Sequence, residues 1–264
     1  MASKYKYKRR KAKRCNYGNR RSIKKILYAV VHYTGNDCDT DEGNANYFAN
    51  NNVGASAHYF IDDDSVTQSV PDNHTAWSVG STGLLDQGSP YRAKGAKYWG
   101  KCTNTNSLNF ELCDTVKDGK HKLSEKTRAN AVVFIAKKMH EHDIPISRLI
   151  RHFDVNGKLC PLYWVTDEDD WKKFKKEIQA KVNELKAPKT TTATKKVNYT
   201  VRIKVNTLNI RAKASADAKV VGGVHKGEIY TIVQEVTIGS KKWGKLKSGV
   251  GYINLSTRYV EKVK

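Results

Sequence analysis

Two textures of apolar and polar positions follow one another along the chain and change near residue 190. In the first, ILYAVVHYTG (26–35) is β-branched, apolar and closed by Thr-Gly, which predicts a buried strand entering a loop. TDEGNANYFANN (40–51) opens on capping residues and spaces Ala45, Phe48 and Ala49 as a short helix. SAHYFIDDD and SVTQSVP (56–71) predict two strands around an acidic turn, and NSLNFELCD (106–114) predicts another. Between them, residues 72–106 show no period, as expected of a long functional or mobile loop. SEKTRANAVVFIAKKMHEH (124–142) starts with a Ser cap and sets Val132, Ile135, Ala136 and Met139 on one helical face. RLIRHFDV (148–155) begins as a strand. The stretch 166–186 predicts a helix with Thr166 as N-cap, an acidic first turn and a stripe of Trp171, Phe174, Ile178 and Val182. Strands alternating with helices predict an α/β domain over 26–185, a mixed central sheet covered by helices.

Residues 186–197 are rich in Thr and Lys and poor in apolar residues, so they read as a linker. From 198 to 264, short alternating runs (VRIKV, LNIRA, EIYTIVQEV, WGKLK, GYINL) are broken by Gly, Lys and Ser. They predict a small all-β barrel of five or more strands. No apolar run reaches the roughly 18–20 residues that cross a bilayer, so no membrane span is expected.

The net charge is +22 in 264 residues, and it is unevenly spread. Residues 1–25 carry twelve Lys or Arg and no acid, residues 26–185 sum to −3, and residues 196–264 sum to +10. Basic ends suit a polyanion. Residues 1–25 lack the apolar core of a secretory signal and are expected to form a solvated, poorly ordered tail. Its basic residues are interleaved with only Tyr5 and Tyr7 and lead into no nucleic-acid motif, so nucleic acid is not the expected partner. Five cysteines at irregular spacing make a poor disulfide framework and suit synthesis in a reducing cytosol.

His32 lies near the carboxyl end of the first predicted strand, and His152 and Cys160 sit eight residues apart in RHFDVNGKLCP. Two imidazoles and a thiolate suit zinc, and three ligands leave a position for water. Spacing alone is a modest argument, since a lone His or Cys is most often a surface or core residue. His121, His140, His142 and His225 are read that way.

VVHYTGN, S-x-H-Y-F-I-D-D, NSLNFELC and HFDVNGKLCP, taken in order, resemble the zinc-dependent N-acetylmuramoyl-L-alanine amidase family of phage endolysins and bacterial autolysins. Peptidoglycan recognition proteins share that fold. The resemblance implies one Zn2+ held by His32, His152 and Cys160, with Glu111 as general base and Lys158 stabilising the oxyanion. Some relatives carry a tyrosine where this chain has Ala57, and many read A-W-H where it has Ala76-Trp77-Ser78. His58 and Trp77 are candidates for the substrate groove, with core packing an equal reading for each.

LNIRAKASADAKVVGGVHKGEIYTIV and WGKLKSGVGYINL resemble the bacterial SH3-like cell-wall-binding module. Trp243 and Tyr252 are its candidate ligand-stacking residues, against the plainer reading that they pack the barrel core. Together the resemblances imply cleavage of the amide between N-acetylmuramic acid and L-alanine, on peptidoglycan with its anionic wall polymers. The absence of a signal peptide favours a phage endolysin made in the host cytoplasm and acting at the wall after release. The alternatives are a bacterial autolysin and a non-catalytic peptidoglycan-binding protein.

Overall fold

Three β-branched or aromatic runs of the first texture become neighbouring strands of one sheet. In the computed structural model, which describes residues 5–80, 94–186 and 192–263, the chain divides into two units, Met1–Lys186 and Ala187–Lys264. The first unit contains β1 (Lys6–Arg9), β2 (Tyr17–Arg20), β3 (Tyr28–Tyr33), α1 (Asp41–Asn50), β4 (Tyr59–Ile61), β5 (Ser65–Gln68) and β6 (His74–Ala76). These are followed by β7 (Ser107–Leu112), β8 (Thr115–Lys117), β9 (Lys120–Lys122), α2 (Glu125–Glu141), β10 (Leu149–Arg151), α3 (His152–Asn156), α4 (Leu162–Thr166) and α5 (Glu168–Lys186).

The main sheet runs β1-β5-β4-β7-β3-β10, with β4, β7, β3 and β10 parallel. Alternation along the strands gives it two faces of different chemistry. Ala29, Val31, Leu108, Phe110 and Leu112 enter the main core with Phe134 and Ile135 of α2 and Phe174 and Ile178 of α5. Each of the larger side chains among them contributes about 1.5–3 kcal/mol on burial. The intervening positions, His32, Asn109 and Glu111, face the other way and are polar.

Residues 5–25 do not form the solvated tail that the charge of residues 1–25 predicts. β1 pairs in parallel with β5 at the sheet edge, and β2 pairs with β6 in a two-stranded ribbon. Main-chain pairing is indifferent to side-chain charge, and lysines on an edge strand discourage further pairing. Tyr5 and Tyr7 pack on Phe134, and Tyr17 is buried. The side chain of Asn16 donates to Phe48 O and Asn51 O and accepts from the amides of Val53 and Gly54.

Most predicted elements are present, and Thr40 and Ser124 cap α1 and α2 as expected. Thr166, however, ends α4 rather than starting α5; Asp167 Oδ1 accepts from the Asp170 amide in its place. The β8–β9 hairpin and the β2–β6 ribbon have segments too short and polar to show a period.

The second unit is a seven-stranded sheet in the order β13-β12-β16-β15-β14-β11-β17. Its strands are β11 (Thr192–Ile203), β12 (Thr207–Arg211), β13 (Val220–His225), β14 (Ile229–Ile238), β15 (Lys241–Leu246), β16 (Tyr252–Asn254) and β17 (Val260–Val263). Their inward residues, among them Val201, Ile210, Ile232, Leu246 and Ile253, form one apolar core. β11 begins at Thr192 and pairs with β14 from there, so the later half of the expected linker is strand. The earlier part, residues 187–191, lies outside the described residues.

Candidate metal centre

Register brings the ligand candidates together. In the parallel pair β3–β7, His32 stands opposite Glu111 and Val30 opposite Asn109. Arg151 of β10 pairs with Val31, so His152 leaves the sheet beside His32. Both histidines lie at the carboxyl ends of parallel strands, where open sheets present their sites. The two rings meet edge to face with centroids 4.7 Å apart.

The return of the chain to Cys160 has local causes. After His152–Asn156, Gly157 takes φ +85°, a left-handed C-cap that a side chain would strain. The Phe153 amide then donates to Cys160 O at 3.0 Å, and the Lys158 amide donates to Asn156 Oδ1 at 3.1 Å. Arg151 clamps the segment with charge-assisted bonds to Asp154 and Glu168 and a bond to Trp164 O. The candidate ligand atoms of His32, His152 and Cys160, all three buried, lie within 4.8 Å of one another.

The donor set fits a metal ion. His152 Nδ1 and Glu111 Oε2 are buried with no hydrogen-bond partner. His32 uses Nε2 on Asn109 Oδ1 at 3.1 Å, and the Asn156 amide meets His152 Nε2 at 3.0 Å. The acceptor on Nε2 leaves His32 Nδ1 for a metal; at His152 the group facing Nε2 is the Asn156 Nδ2 donor, and Nδ1 has no partner. Burial holds both imidazoles neutral: it lowers His32 to about 3, opposed by the bond to Asn109, and lowers His152 well below the usual range. Neutral imidazole is the ligating form. Burial also pushes the Cys160 thiol up, so a cation is what would make it a thiolate.

Glu111 Oε1 lies 3.8 Å from His32 Nδ1. Burial raises its carboxyl to about 8, with the Lys158 ammonium pulling the other way. Lys158 itself is exposed, with its charge acting on Glu111, His32, His152 and Cys160.

The five residues expected from the family pattern thus converge, and other candidates do not. His58 is fully buried, so it lines no groove; its Nδ1 accepts from the Asn109 amide at 3.1 Å, and Arg21 Nη2 and His74 O meet Nε2. It sits one register step before Tyr59, opposite Asn109, on the polar face of the sheet. Trp77 is 37% exposed and follows β6 on the separate ribbon, where its amide bonds Ser56. In the barrel, Trp243 is only 4% exposed and packs on Ala214 and Val236, with Tyr252 half-buried against the same cluster. Trp243 is therefore a core residue. Asn109 and Asn156, which meet the two imidazoles, were not singled out from sequence; the two-residue spacing of Asn109 and Glu111 on one strand was the available signal.

Residues 22–162 match the sequence profile described as N-acetylmuramoyl-L-alanine amidase, and residues 206–261 match that of the bacterial SH3 domain. The chain is 32% identical over 252 residues to the N-acetylmuramoyl-L-alanine amidase BlyA of Bacillus subtilis, which covers 89% of this chain and 67% of that protein. It is 29% identical over 216 residues to CwlA of the same organism, covering 80% and 70%. Among solved structures, the catalytic domain of PlyG superposes with a TM-score of 0.51 at 26% identity, over 69% of this chain and 99% of that one. With its α/β core, its second, β-rich unit and its converging His, His and Cys, the chain belongs to the N-acetylmuramoyl-L-alanine amidase family.

Proposed function

We propose that the chain is a zinc-dependent peptidoglycan amidase that hydrolyses the bond between N-acetylmuramic acid and the L-alanine of the stem peptide. The observation that carries this reading is the buried His32, His152 and Cys160 cluster with Glu111 in register beside it. Two imidazoles and one thiol suit zinc, and three protein ligands leave a coordination position open. When bound, zinc supplies a Lewis acid that polarises the amide carbonyl and makes water acidic near neutral pH.

The chain's own groups supply the rest. Glu111, beside His32, accepts a proton from the attacking water and returns it to the leaving amine. A C–O bond forms, the C–N bond breaks, and the alanine amine leaves protonated. The Lys158 ammonium, on the turn before Cys160, offers donors to the oxyanion that develops on the carbonyl oxygen. Lys158 lowers Glu111 toward the carboxylate form that a base requires, and a cation held by His32, His152 and Cys160 would act in the same direction.

The second unit is proposed to hold the enzyme on the wall. Residues 198–264 are strongly basic, and long-range attraction to anionic wall polymers, weakened by salt, is the physical basis. Among the described residues no helix is long and apolar enough to cross a membrane.

Mass analysis of digested peptidoglycan tests the reaction. New L-alanine amino termini with intact glycan strands, released only without chelator and lost in Glu111→Ala, are the expected result. Cleavage within the glycan or the cross-bridge would overturn the assignment.

A further inference from the structure

We propose that Asn109 is a positioning residue for the metal centre, oriented by His58 and Ser107, and that Arg21, from the basic N-terminal segment, braces it through Ser107. The inference rests on the zinc reading of the triad and adds residues that reading does not contain. Arg21 lies just outside the 22–162 stretch that matches the amidase profile.

A histidine can offer Nδ1 to a metal only if its ring proton sits on Nε2, and that tautomer needs an acceptor facing Nε2. For His32 the facing group is the Asn109 amide, with Oδ1 3.1 Å away. Reversing the amide would present N–H instead and force the wrong tautomer.

The amide is held against reversal. The main-chain N–H of Asn109 is an obligatory donor, and it points at His58 Nδ1 at 3.1 Å, so a lone pair of His58 faces Asn109. That lone pair attracts Asn109 Nδ2, 3.5 Å away, and would repel Oδ1. Nδ2 also donates to Ser107 Oγ at 3.1 Å. With Nδ2 committed on that side, Oδ1 is left for His32.

Arg21 fixes the Ser107 support: its Nη1 donates to Ser107 O at 2.8 Å and to Asn104 O at 3.1 Å. Nε donates to Asp72 O at 3.0 Å. One guanidinium thus ties the loops before β6 and β7 to each other. His58, with its lone pair on Nδ1, carries its proton on Nε2 and donates it to His74 O at 3.2 Å. His58, Asn109 and Ser107 are all buried, so solvent cannot replace these bonds.

The test measures zinc affinity of the full chain by competition with a chromophoric chelator, together with the melting temperature in excess chelator. Asn109→Leu is expected to weaken zinc ten- to a hundredfold, as loss of such partners typically does. Asn109→Asp keeps an acceptor facing Nε2 and should stay within about threefold of the parent. Arg21→Met should weaken zinc by about threefold or more, and cobalt-substituted protein should show a shifted visible spectrum. Equal zinc affinity in Asn109→Leu and the parent, or equal loss in the Leu and Asp variants, would overturn the role of Asn109. A lower melting temperature for Arg21→Met with unchanged zinc affinity would make Arg21 merely structural. A parent that binds no zinc, or binds it equally well as His152→Ala, overturns the metal reading itself and the positioning role with it.

Discussion

The two units bury their polar groups very differently. Every buried polar or charged side chain among the described residues lies in the first unit, from Asn16 to Asn156. So does every buried side-chain atom left without a hydrogen-bond partner. The barrel keeps an apolar core of Val, Ile and Leu, with Trp243 buried beside Val236, and carries its charge outside. Buried polar groups are costly unless paired, so those left unpartnered are the ones that point to a ligand or a reaction. Three of the unpartnered atoms, Glu111 Oε2, His152 Nδ1 and Tyr163 Oη, belong to the metal centre or to the helix that follows Cys160. The barrel needs no such interior if its task is adhesion through its surface.

The largest expected effect separates the units outright. Cys160→Ser should lower amide hydrolysis at least a thousandfold, while co-sedimentation of the protein with purified walls stays unchanged. Loss of both together would mean that the units do not divide the labour. The reciprocal change is Ile232→Ala, at a fully buried barrel position. Large-to-small truncation there should cost about 2–5 kcal/mol, seen as a lower midpoint for a barrel-unfolding step. Wall binding should weaken, with hydrolysis of a small soluble muropeptide retained.

Stability against pH should distinguish the units in metal-free protein. The Glu111 carboxyl is raised to about 8 by burial, above its unfolded value, so folding favours its neutral form. Its contribution is full below about pH 4.3 and is lost as pH rises through 8. In excess chelator the melting temperature of the first unit should fall between pH 6 and 9, and Glu111→Gln should flatten that slope. A parent curve as flat as the variant's would show that Glu111 is not held neutral. The smallest effect is at Tyr163, whose buried hydroxyl has no partner. Tyr163→Phe should raise the melting temperature of chelated protein by about 2–4 °C, because an unsatisfied group is removed. A decrease would place a hydrogen bond there.

Family motifs and strand alternation make the five central residues legible in the sequence. Glu111 falls on the polar face of β7, whose other face is apolar; His32 shares its face of β3 with Tyr28 and Val30 and is marked by its motif, and His152, Lys158 and Cys160 fall within one short turn. Position along the chain could not tell whether His58 faces a groove or the interior, because both faces of β4 are covered. Charge was a poor guide to residues 1–25, since edge pairing uses main-chain groups that no side-chain pattern reports. Trp243 was ambiguous for a related reason: a tryptophan in a small barrel is large enough to be either its core or its contact surface.

The sequence by itself determined the order of elements, the apolar stripes of α2 and α5 and the change to an all-β texture, while the candidate ligands were picked out by their resemblance to family motifs. These depend on local period and on residue chemistry, which are written along the chain. Only the tertiary structure decided that Val30 pairs with Asn109, that His152 emerges beside His32, and that Arg21 reaches Ser107 across the fold. Register and long-range hydrogen bonds join residues that are distant in sequence and carry no shared pattern, so they exist only once the sheet has closed.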